Sequence, residues 1–484
     1  MTLENYIVRE IPTLPQDGLT GRRKILTTVK EITAENVREV LNEALAVHSV
    51  NAGEITYLWE YYKGKQDIRN KEKFNRVNIN NKVTVNRANE IVTFKTAYLL
   101  NEPIQYISHG GADGISAKVN TLNEYMRAEG KESKDKEIVD WMHICGVGER
   151  LVLTDEDAGH VNGAPFYIYT LDPREAFVIY SARIGQKPMA GVILQIDENN
   201  EWFATVYTVN KCFTIIKDEV IEEGHILGGI PLVEYLNNSA RMGAFESVIS
   251  VLNNINQLES DAVDSVQDFV NGFDVFQNCD IEDGAYSELA IGGKAVKVKT
   301  VTQGMEAKVY RVASELSQSG VQQRVDDLTD AYLEICGMPN RNGGYSTSDT
   351  GTAVLFRDGW SAADSRAKDT ETMFKRSERE FDRIVINICD AKGSLDGLEL
   401  SEFEPDFPRG NLSNLQSKVQ VLCEMLNNPR IHPKYAYSVC GLFDDAEEAY
   451  RVSTEWYDEQ QQAQEEALLN RTEEEPNNGG TETV

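Results

Sequence analysis

The glycine-rich segment at residues 337–356, GMPNRNGGYSTSDTGTAVLF, is the part of the chain most suggestive of binding chemistry. A glycine-rich turn can hold a phosphate when it leaves a strand and is followed by a lysine and a helix N-terminus. Here the segment follows a predicted helix, contains no lysine, and has Asp349 where the anion would sit. We therefore reject nucleotide binding and predict that Asp349 or Thr350 is the N-cap of the next helix.

Other side chains that could catalyse a reaction or bind a metal are scattered along the chain. The six histidines and seven cysteines form no CxxC, HExxH or GxSxG motif. His143 and Cys145 are two residues apart, but no second pair has the spacing that a metal site needs. We interpret the cysteines as small buried side chains and predict no metal, no cofactor and no enzyme activity. The alternative is a hydrolase whose carboxylates converge only in the folded chain.

The charge balance limits the partners of the protein. Its 484 residues include 48 Lys and Arg against 78 Asp and Glu, which gives a formal net charge of −30. Such a surface repels polyanions on average, so tight wrapping of nucleic acid is disfavoured. The N-terminus lacks signal-peptide features, and no run approaches the roughly 18 apolar residues of a membrane span. We expect a cytoplasmic protein without membrane contact.

The acidic residues are unevenly distributed. Residues 242–293 contain ten Asp or Glu and no Lys or Arg, and residues 441–484 contain thirteen acidic and two basic residues. A solvated acidic face is the simplest interpretation of such runs. The alternative is an acidic wall past which a negatively charged molecule slides.

Hydrophobic periodicity predicts a mixed α+β chain of two to four domains or subdomains. Residues 35–62 read as two short helices, and another helix runs from about Arg87 to Leu100. Residues 150–236 alternate between apolar and polar side chains in short runs separated by turn residues, which indicates several strands.

The second half of the chain is predicted to be mostly helical. An apolar stripe from Phe245 to Phe273 indicates a long amphipathic helix. The segments that follow are strand-like pieces at 275–311, a helix at about 313–336, a long helix at about 352–391 that kinks near Gly359, and a helical unit at 412–470.

The order of these parts resembles the portal proteins of long-tailed bacteriophages, which form the ring through which DNA enters and leaves the capsid. The similar stretches include NNKVTVNRANEIVTFKTAYLLNEPIQY, DDLTDAYLEICGMPN and SKVQVLCEMLNNPRIHPKYAYSVCGLFDDAEEAY. They follow one another in the family's order over roughly residues 35–455.

The resemblance implies a portal-type α+β fold with a mixed α/β wing, two long stem helices, a small α/β clip, a long kinked helix behind a tunnel loop, and a helical crown. The implied boundaries are wing 1–236 (helical start, then β-rich 150–236), first stem helix 242–274, clip 275–312, second stem helix 313–336, tunnel loop 337–351, long helix and return to the wing 352–411, crown 412–470, and disordered acidic tail 471–484.

The resemblance also implies roles for three groups of residues. The tunnel loop would contact DNA through Asn340, Arg341, Asn342, Tyr345, Ser346 and Thr347. The acidic wall of the channel, which keeps DNA centred and mobile, would include Glu259, Asp261, Asp264 and Asp268. The clip would dock partners through Lys294, Lys297, Lys299, Lys308 and Arg311, although these residues also fit an ordinary charged hairpin surface.

The implied assembly is a homo-oligomeric ring, a dodecamer in the family, at one capsid vertex of the virion and in the host cytoplasm during assembly. Its partners would be double-stranded DNA, the packaging terminase, head-completion or adaptor proteins, and the major capsid and scaffolding proteins, with no membrane. Its tasks would be genome packaging, DNA ejection and head–tail connection. The alternative function is an acidic cytoplasmic scaffold or assembly protein without a channel.

Overall fold

The computed structural model describes most of the chain. The described residues are 19, 21–74, 77–109, 113–154, 163–270, 273–280, 299–301, 304, 306, 308–312, 318–340, 359–395, 397–408, 415–440, 442–443 and 446–473.

The described residues of the first half of the chain include four α-helices and ten strands. The helices are α1 Val37–Tyr62, α2 Arg87–Leu99, α3 Asp113–Ala128 and α4 Lys131–Cys145. The strands are β1 Ile25–Thr27, β2 Gln105–Ser108, β3 Val147–Thr154, β4 Phe166–Leu171, β5 Ala176–Ser181, β6 Pro188–Ile196, β7 Trp202–Tyr207, β8 Lys211–Ile216, β9 Glu219–Gly224 and β10 Leu232–Leu236.

The prediction of two short helices at residues 35–62 is wrong, because α1 is one helix of 26 residues. Gly53 lies inside it, where helix propensity is low. The polar residues around Gly53 are held by tertiary contacts. Asn51 accepts a hydrogen bond from the Arg23 N–H (2.8 Å), and the His48 Nε2 lies 3.0 Å from the Arg174 carbonyl. These contacts keep the helix continuous.

The prediction of short strands in residues 150–236 is confirmed. One sheet has six strands in the order β1-β5-β6-β7-β8-β9, with β1 parallel to β5 and the other neighbours antiparallel. Alternate residues of this sheet pack against α1 in one apolar cluster that includes Leu41, Leu45, Val192 and Phe213. A second sheet has the order β10-β3-β4.

The predicted amphipathic helix after residue 242 is α5 Ile249–Val270, and a single 3₁₀ turn, Glu246–Val248, precedes it. Phe273, which the apolar stripe assigned to this helix, instead begins a strand. The elements that follow are β11 Phe273–Gln277, β12 Cys279–Asp280, β13 Lys299–Thr300, β14 Lys308–Val312 and α6 Gln318–Cys336. Strand β11 pairs with β14, and β12 pairs with β13, both antiparallel.

The long helix α7, Trp360–Lys392, begins directly after Gly359. The φ angle of Gly359 is +83°, a left-handed conformation in which glycine has no steric penalty. Gly359 is therefore the N-cap of α7, and residues 352–358 of the predicted kinked helix lie outside the described residues. Asp349 and Thr350, the predicted N-cap candidates, lie outside the described residues.

Strand β15, Phe403–Asp406, pairs antiparallel with β2 and so joins the segment after α7 to the first half of the chain. The helical unit predicted at 412–470 contains α8 Leu415–Leu426, α9 Pro433–Cys440 and α10 Ala446–Glu473. Helix α10 extends to residue 473, past the predicted start of the disordered tail at 471, and residues 474–484 lie outside the described part.

Helix α7 is fixed to the first half of the chain by buried charges, which we call the enclosed cluster: Lys131, Asp135, Arg150, Glu378 and Asp382. Lys131 and Asp135 lie on α4, Arg150 on β3, and Glu378 and Asp382 on α7, and all five are buried. The Lys131 Nζ lies 2.7 Å from the Glu378 Oε1 and 2.8 Å from the Asp135 Oδ2, and the Arg150 Nη1 lies 3.3 Å from the Glu378 Oε2.

Candidate functional site: helices α5 and α6 and their flanking loops

Helices α5 and α6 pack against each other through apolar side chains. Leu252 and Ile255 of α5 share one buried cluster with Val325, Tyr332 and Leu333 of α6. The apolar stripe predicted the buried face of each helix, since residues three and four apart lie on the same side of a helix. This pair carries the predicted acidic wall and leads into the predicted tunnel loop.

A second face of α5 is polar and holds residues 66–86, which we call the anchored loop. Asn256, Ser260 and Asp264, spaced four residues apart, each accept a hydrogen bond from a backbone N–H of this loop. The donors are Val85 (2.8 Å), Val83 (3.0 Å) and Asn81 (2.7 Å), in that order.

The spacing of these contacts has a geometric basis. Four helical residues rise about 6 Å, and two residues of extended chain span about 6.6 Å. An extended segment that runs antiparallel to α5 can therefore present every second N–H to every fourth side chain. Each such N–H is satisfied without a β-sheet partner, which keeps the loop in register along the helix.

Asp264 is the most strongly held carboxylate on this face. Its Oδ2 lies 2.9 Å from the Lys71 Nζ and 2.7 Å from the Lys73 Nζ, and its Oδ1 also accepts from the Asn81 side chain at 2.7 Å. Burial favours a higher pKa, but the hydrogen bonds from Lys73, Asn81 and Lys71 outweigh it and hold the pKa of Asp264 well below its usual range. Asp264 is therefore ionised, buried and neutralised within its own subunit.

The other residues of the predicted acidic wall differ from Asp264. Asp261 is 45% exposed and lies 2.8 Å from the Lys71 Nζ. Glu259 is half-buried, and within the described residues no hydrogen bond or ion pair holds its carboxylate. Asp268 lies in the last turns of α5, and its side chain is outside the described part. A channel-facing role thus fits Asp261 better than it fits Asp264.

The start of the predicted tunnel loop lies beside the start of α7. Helix α6 ends at Cys336, and Gly337 follows with a φ angle of +65°. A Cβ on Gly359 would lie 3.6 Å from the Pro339 Cα, and a Cβ on Gly337 would lie 2.7 Å from the Arg366 Cγ of α7. The chain therefore leaves this point after Asn340 and returns to it at Gly359.

Of the predicted tunnel-loop residues, only Asn340 lies within the described structure. It is half-exposed, and its Nδ2 donates to the Asp330 Oδ1 of α6 at 2.8 Å. Arg341, Asn342, Tyr345, Ser346 and Thr347 lie outside the described residues.

Sequence reasoning missed two cations at the base of this loop. Lys95 of α2 and Arg366 of α7 line a cavity of about 20 Å³ together with Gly337 and His143. Within the described residues neither cation has a carboxylate partner. Burial lowers the pKa of Lys95, and the charge of nearby Arg366 lowers it further. Only the fold brings these residues together, so no local pattern could have identified them.

The predicted clip residues lie partly in the two short strand pairs. Register places Arg311 of β14 opposite Asp274 of β11, and Lys299 of β13 opposite Asp280 of β12. Lys308 is exposed at the start of β14. Lys294 and Lys297 lie outside the described residues. Arg311 and Lys299 therefore each lie opposite an acidic residue, whereas Lys308 does not.

His143 and Cys145, which we considered as metal ligands, are both buried. Burial lowers the pKa of His143 to about 3 and raises that of Cys145 to about 12, so both are neutral at pH 7. His143 Nδ1 lies 3.1 Å from the Thr96 hydroxyl. In the described part of the chain no cluster of His, Cys, Asp and Glu could hold a metal ion. Among the described helices, none has the length and apolar character needed to span a bilayer.

Comparison with known proteins defines the class of this chain as a phage portal protein. The sequence model described as "Phage portal protein, SPP1 Gp6-like" matches residues 42–467. The chain belongs to this family, as the resemblance predicted. The family is structural and not enzymatic, which confirms the prediction that the protein is not an enzyme. Membership also implies an oligomeric ring in the virion capsid, where the portal passes DNA at a vertex.

The chain is also similar to a solved structure titled "Neck of empty GTA particle computed with C6 symmetry". The TM-score is 0.41 at 10% sequence identity, and the match covers 73% of this chain and 89% of the other. No curated protein matches the chain significantly.

Proposed function

We propose that this protein forms a dodecameric ring at one capsid vertex, through which double-stranded DNA is packaged and later ejected. The observation that carries the proposal is the family match over residues 42–467. Head-to-tail contacts between identical subunits close into a ring when the rotation between neighbours closes. The ring assembles in the host cytoplasm and becomes part of the virion with the major capsid and scaffolding proteins.

The charge of α5 supports a conduit. B-DNA carries one negative charge per about 1.7 Å of its axis, so a cationic bore would bind many phosphates and hold the DNA in place. Helix α5 contains no Lys or Arg. Repeated around a ring, Asp261 and Asp268 form acidic rings that repel the phosphates and leave the DNA free to slide.

The tunnel loop supplies the closer contacts. Its polar residues Asn340, Arg341, Asn342, Tyr345, Ser346 and Thr347 reach the DNA from a base that α6 and α7 fix. Lys95 and Arg366 add positive charge at that base. The clip, with Lys294, Lys297, Lys299, Lys308 and Arg311, docks the packaging terminase first and the head-completion proteins afterwards, and the terminase supplies the energy for translocation.

Deletion of residues 340–348 tests the role of the loop. We expect intact rings by negative-stain electron microscopy but a severalfold loss of DNase-protected DNA in packaging assays, because the deleted residues contact the DNA. The matched control keeps the loop length and changes the six contact residues to Ala or Gly, which separates side-chain contact from loop length.

Undiminished packaging by both variants would remove the loop from the proposal. Dispersed monomers of the wild-type protein would instead favour an acidic scaffold without a channel.

A further inference from the structure

The tip of the anchored loop presents apolar side chains to solvent. Phe74 is 95% exposed and Val77 is 71% exposed. The two ends of this loop are held firmly, because Asp264 binds Lys71, Lys73 and Asn81 on either side of the tip. Because Phe74 directly follows the anchored Lys73, burying its side chain against a partner costs little entropy, whereas its exposure to water is unfavourable.

The anchored loop is also strongly basic in an acidic chain. Residues 66–86 contain five Lys or Arg and two Asp or Glu, against a net charge of −30 for the whole chain. Arg69 and Lys82 are exposed, and the Lys82 Nζ lies 2.6 Å from the Arg69 carbonyl. Within the described residues neither has a carboxylate partner. The anchored loop therefore combines an aromatic knob, Phe74, at its tip with two exposed cations next to its anchoring residues in sequence.

Helices α5 and α6 present a surface that is complementary to the anchored loop in shape and charge. Beyond the point where their shared core ends, they enclose a groove of about 360 Å³ between Ala262, Val263 and Val266 of α5 and Val321 and Val325 of α6. Val263 is 37% exposed and Val266 is 49% exposed.

The rim of this groove is acidic. Glu259 borders it and lies close enough to Arg87 of its own chain to raise the pKa of that guanidinium, and exposed Asp326 lies one helical turn from Gln322 on the same rim.

We propose that the tip of the anchored loop docks into the α5–α6 groove of a neighbouring copy of this chain, with Phe74 and Val77 in the groove and Arg69 and Lys82 facing its acidic rim. The inference rests on the proposed function and specifies the contact that joins subunits in the ring. The knob and the groove are different surfaces, so the contact is heterologous, as a closed ring with one subunit type requires.

Double-stranded DNA fits this tip less well than a second copy does. DNA would attract Arg69 and Lys82, but its phosphate surface offers no apolar pocket for Phe74 and Val77. The groove offers apolar walls and a negative rim together, and buried aromatic anchors with nearby Arg are typical of protein–protein hot spots.

Phe74→Ala in the full-length protein tests the knob, and Val266→Asp tests the groove. Mass photometry over a dilution series should show that each variant needs at least tenfold more protein than wild type to assemble, as expected for loss of a hot-spot contact. The control is Ile184→Ala, because Ile184 is 106% exposed and lies on neither surface. It should assemble like wild type. Circular dichroism should show that all three variants are folded.

Cross-linking tests which surfaces meet. Phe74→Cys and Val266→Cys are made as separate single variants, with the exposed Cys423 changed to Ser in both. Oxidation of the mixture should give a disulfide-linked dimer, whereas neither variant alone should, because only the mixture brings a knob cysteine to a groove cysteine.

Unchanged assembly of Phe74→Ala without cross-linking would overturn this inference and leave the portal function standing. Loss of assembly without cross-linking would place Phe74 in another interface and overturn the groove assignment. Unchanged assembly with weaker DNA retention would assign the tip to DNA. A wild-type protein that stays monomeric at every concentration would contradict the ring and this contact together.

Discussion

Asp382 and Asp264 are both buried aspartates on long helices, yet folding moves their pKa values in opposite directions. Burial raises the pKa of Asp382 well above its usual range, and the charge of Glu378 raises it further. At Asp264 the hydrogen bonds from Lys73, Asn81 and Lys71 outweigh burial, and the pKa falls. Burial alone therefore does not decide the charge of an aspartate in this protein; the balance of cations around it does.

The enclosed cluster contains two cations, Lys131 and Arg150, and three carboxyl groups. Lys131 and Arg150 hold the pKa of Glu378 below its usual range in spite of burial. No cation remains for Asp382, which is therefore protonated. The Tyr106 hydroxyl lies 2.8 Å from both the Glu378 Oε1 and the Asp382 Oδ1. Since a hydroxyl has one proton, Tyr106 donates to Glu378 and accepts from protonated Asp382.

The second group, which we call the edge cluster, consists of Lys71, Lys73, Asp261 and Asp264. It reaches solvent through Lys73 and Asp261, whose side chains are partly exposed. The enclosed cluster joins α7 to α4 and β3, whereas the edge cluster holds one loop against α5. Loss of charge in the enclosed cluster should therefore destabilise the subunit more than loss of charge in the edge cluster.

Glu378→Gln should have the largest effect. It leaves Lys131 and Arg150 with one buried carboxylate between them, so we expect the free energy of unfolding to fall by about 3–5 kcal/mol. Chemical denaturation at one fixed protein concentration measures this change, because assembly would otherwise contribute to the apparent stability.

Asp382→Asn is the matched control on the same helix. An amide resembles a protonated carboxyl group in shape and can still donate to Tyr106, so its cost at neutral pH should be small. A carboxyl group whose pKa is raised by folding costs stability as pH rises above its unfolded pKa of about 3.9. The Asn variant should therefore gain stability relative to wild type between about pH 4 and 7. Equal losses for the two variants would contradict the assigned charge states.

Asp264→Asn should have an intermediate effect and lower the free energy of unfolding by about 1–3 kcal/mol at pH 7. The change removes a charged hydrogen-bond acceptor, but Lys71 and Lys73 can then be solvated by water. The folded pKa of Asp264 lies below the unfolded value of about 3.9, so its contribution is present above that pH and disappears as pH falls through the folded pKa. Urea denaturation at pH 7 and pH 3 should show the difference from wild type shrinking at the lower pH.

Glu259→Gln is the control for this prediction, because Glu259 lies on α5 and, within the described residues, its carboxylate makes no hydrogen bond or direct ion pair. Glu259→Gln should change the free energy of unfolding by no more than about 0.5 kcal/mol. A difference between Asp264→Asn and wild type that grows on acidification would show that Asp264 is not held as an anion.

Local patterns predicted the helices better than they predicted these charges. The apolar stripe identified α5 because every third or fourth residue faces the core, but it also carried Phe273 into the helix, where a strand begins. Asp264 was assigned to an open acidic wall, since its partner Lys71 lies 193 residues away in sequence. The sequence did contain a signal for the contact between α5 and the anchored loop. Asn256, Ser260 and Asp264 are polar and four residues apart, so they lie on one face of the helix, apart from its apolar face.

Helix α7 shows the same limit. Glu378 and Asp382 lie four residues apart on the side that also buries Phe374 and Phe381. A carboxylate pair within an apolar stripe indicates buried partners, but no sequence pattern tells which distant cations supply them. Arg150 and Lys131 could be assigned only once the fold had placed β3 and α4 against α7.

Asp261→Asn should lower the free energy of unfolding less than Glu378→Gln and Asp264→Asn do. Its side chain is 45% exposed, and Lys71 keeps its contact with Asp264 when Asp261 loses its charge. Exposed ion pairs contribute about 0.2–1 kcal/mol and are screened by salt. We therefore expect a loss in that range at low ionic strength and almost none in 1 M NaCl, measured by urea denaturation. A loss as large as that of Asp264→Asn in high salt would mean that Asp261 is part of the anchor, and it would leave only Asp268 for the acidic rings of the channel.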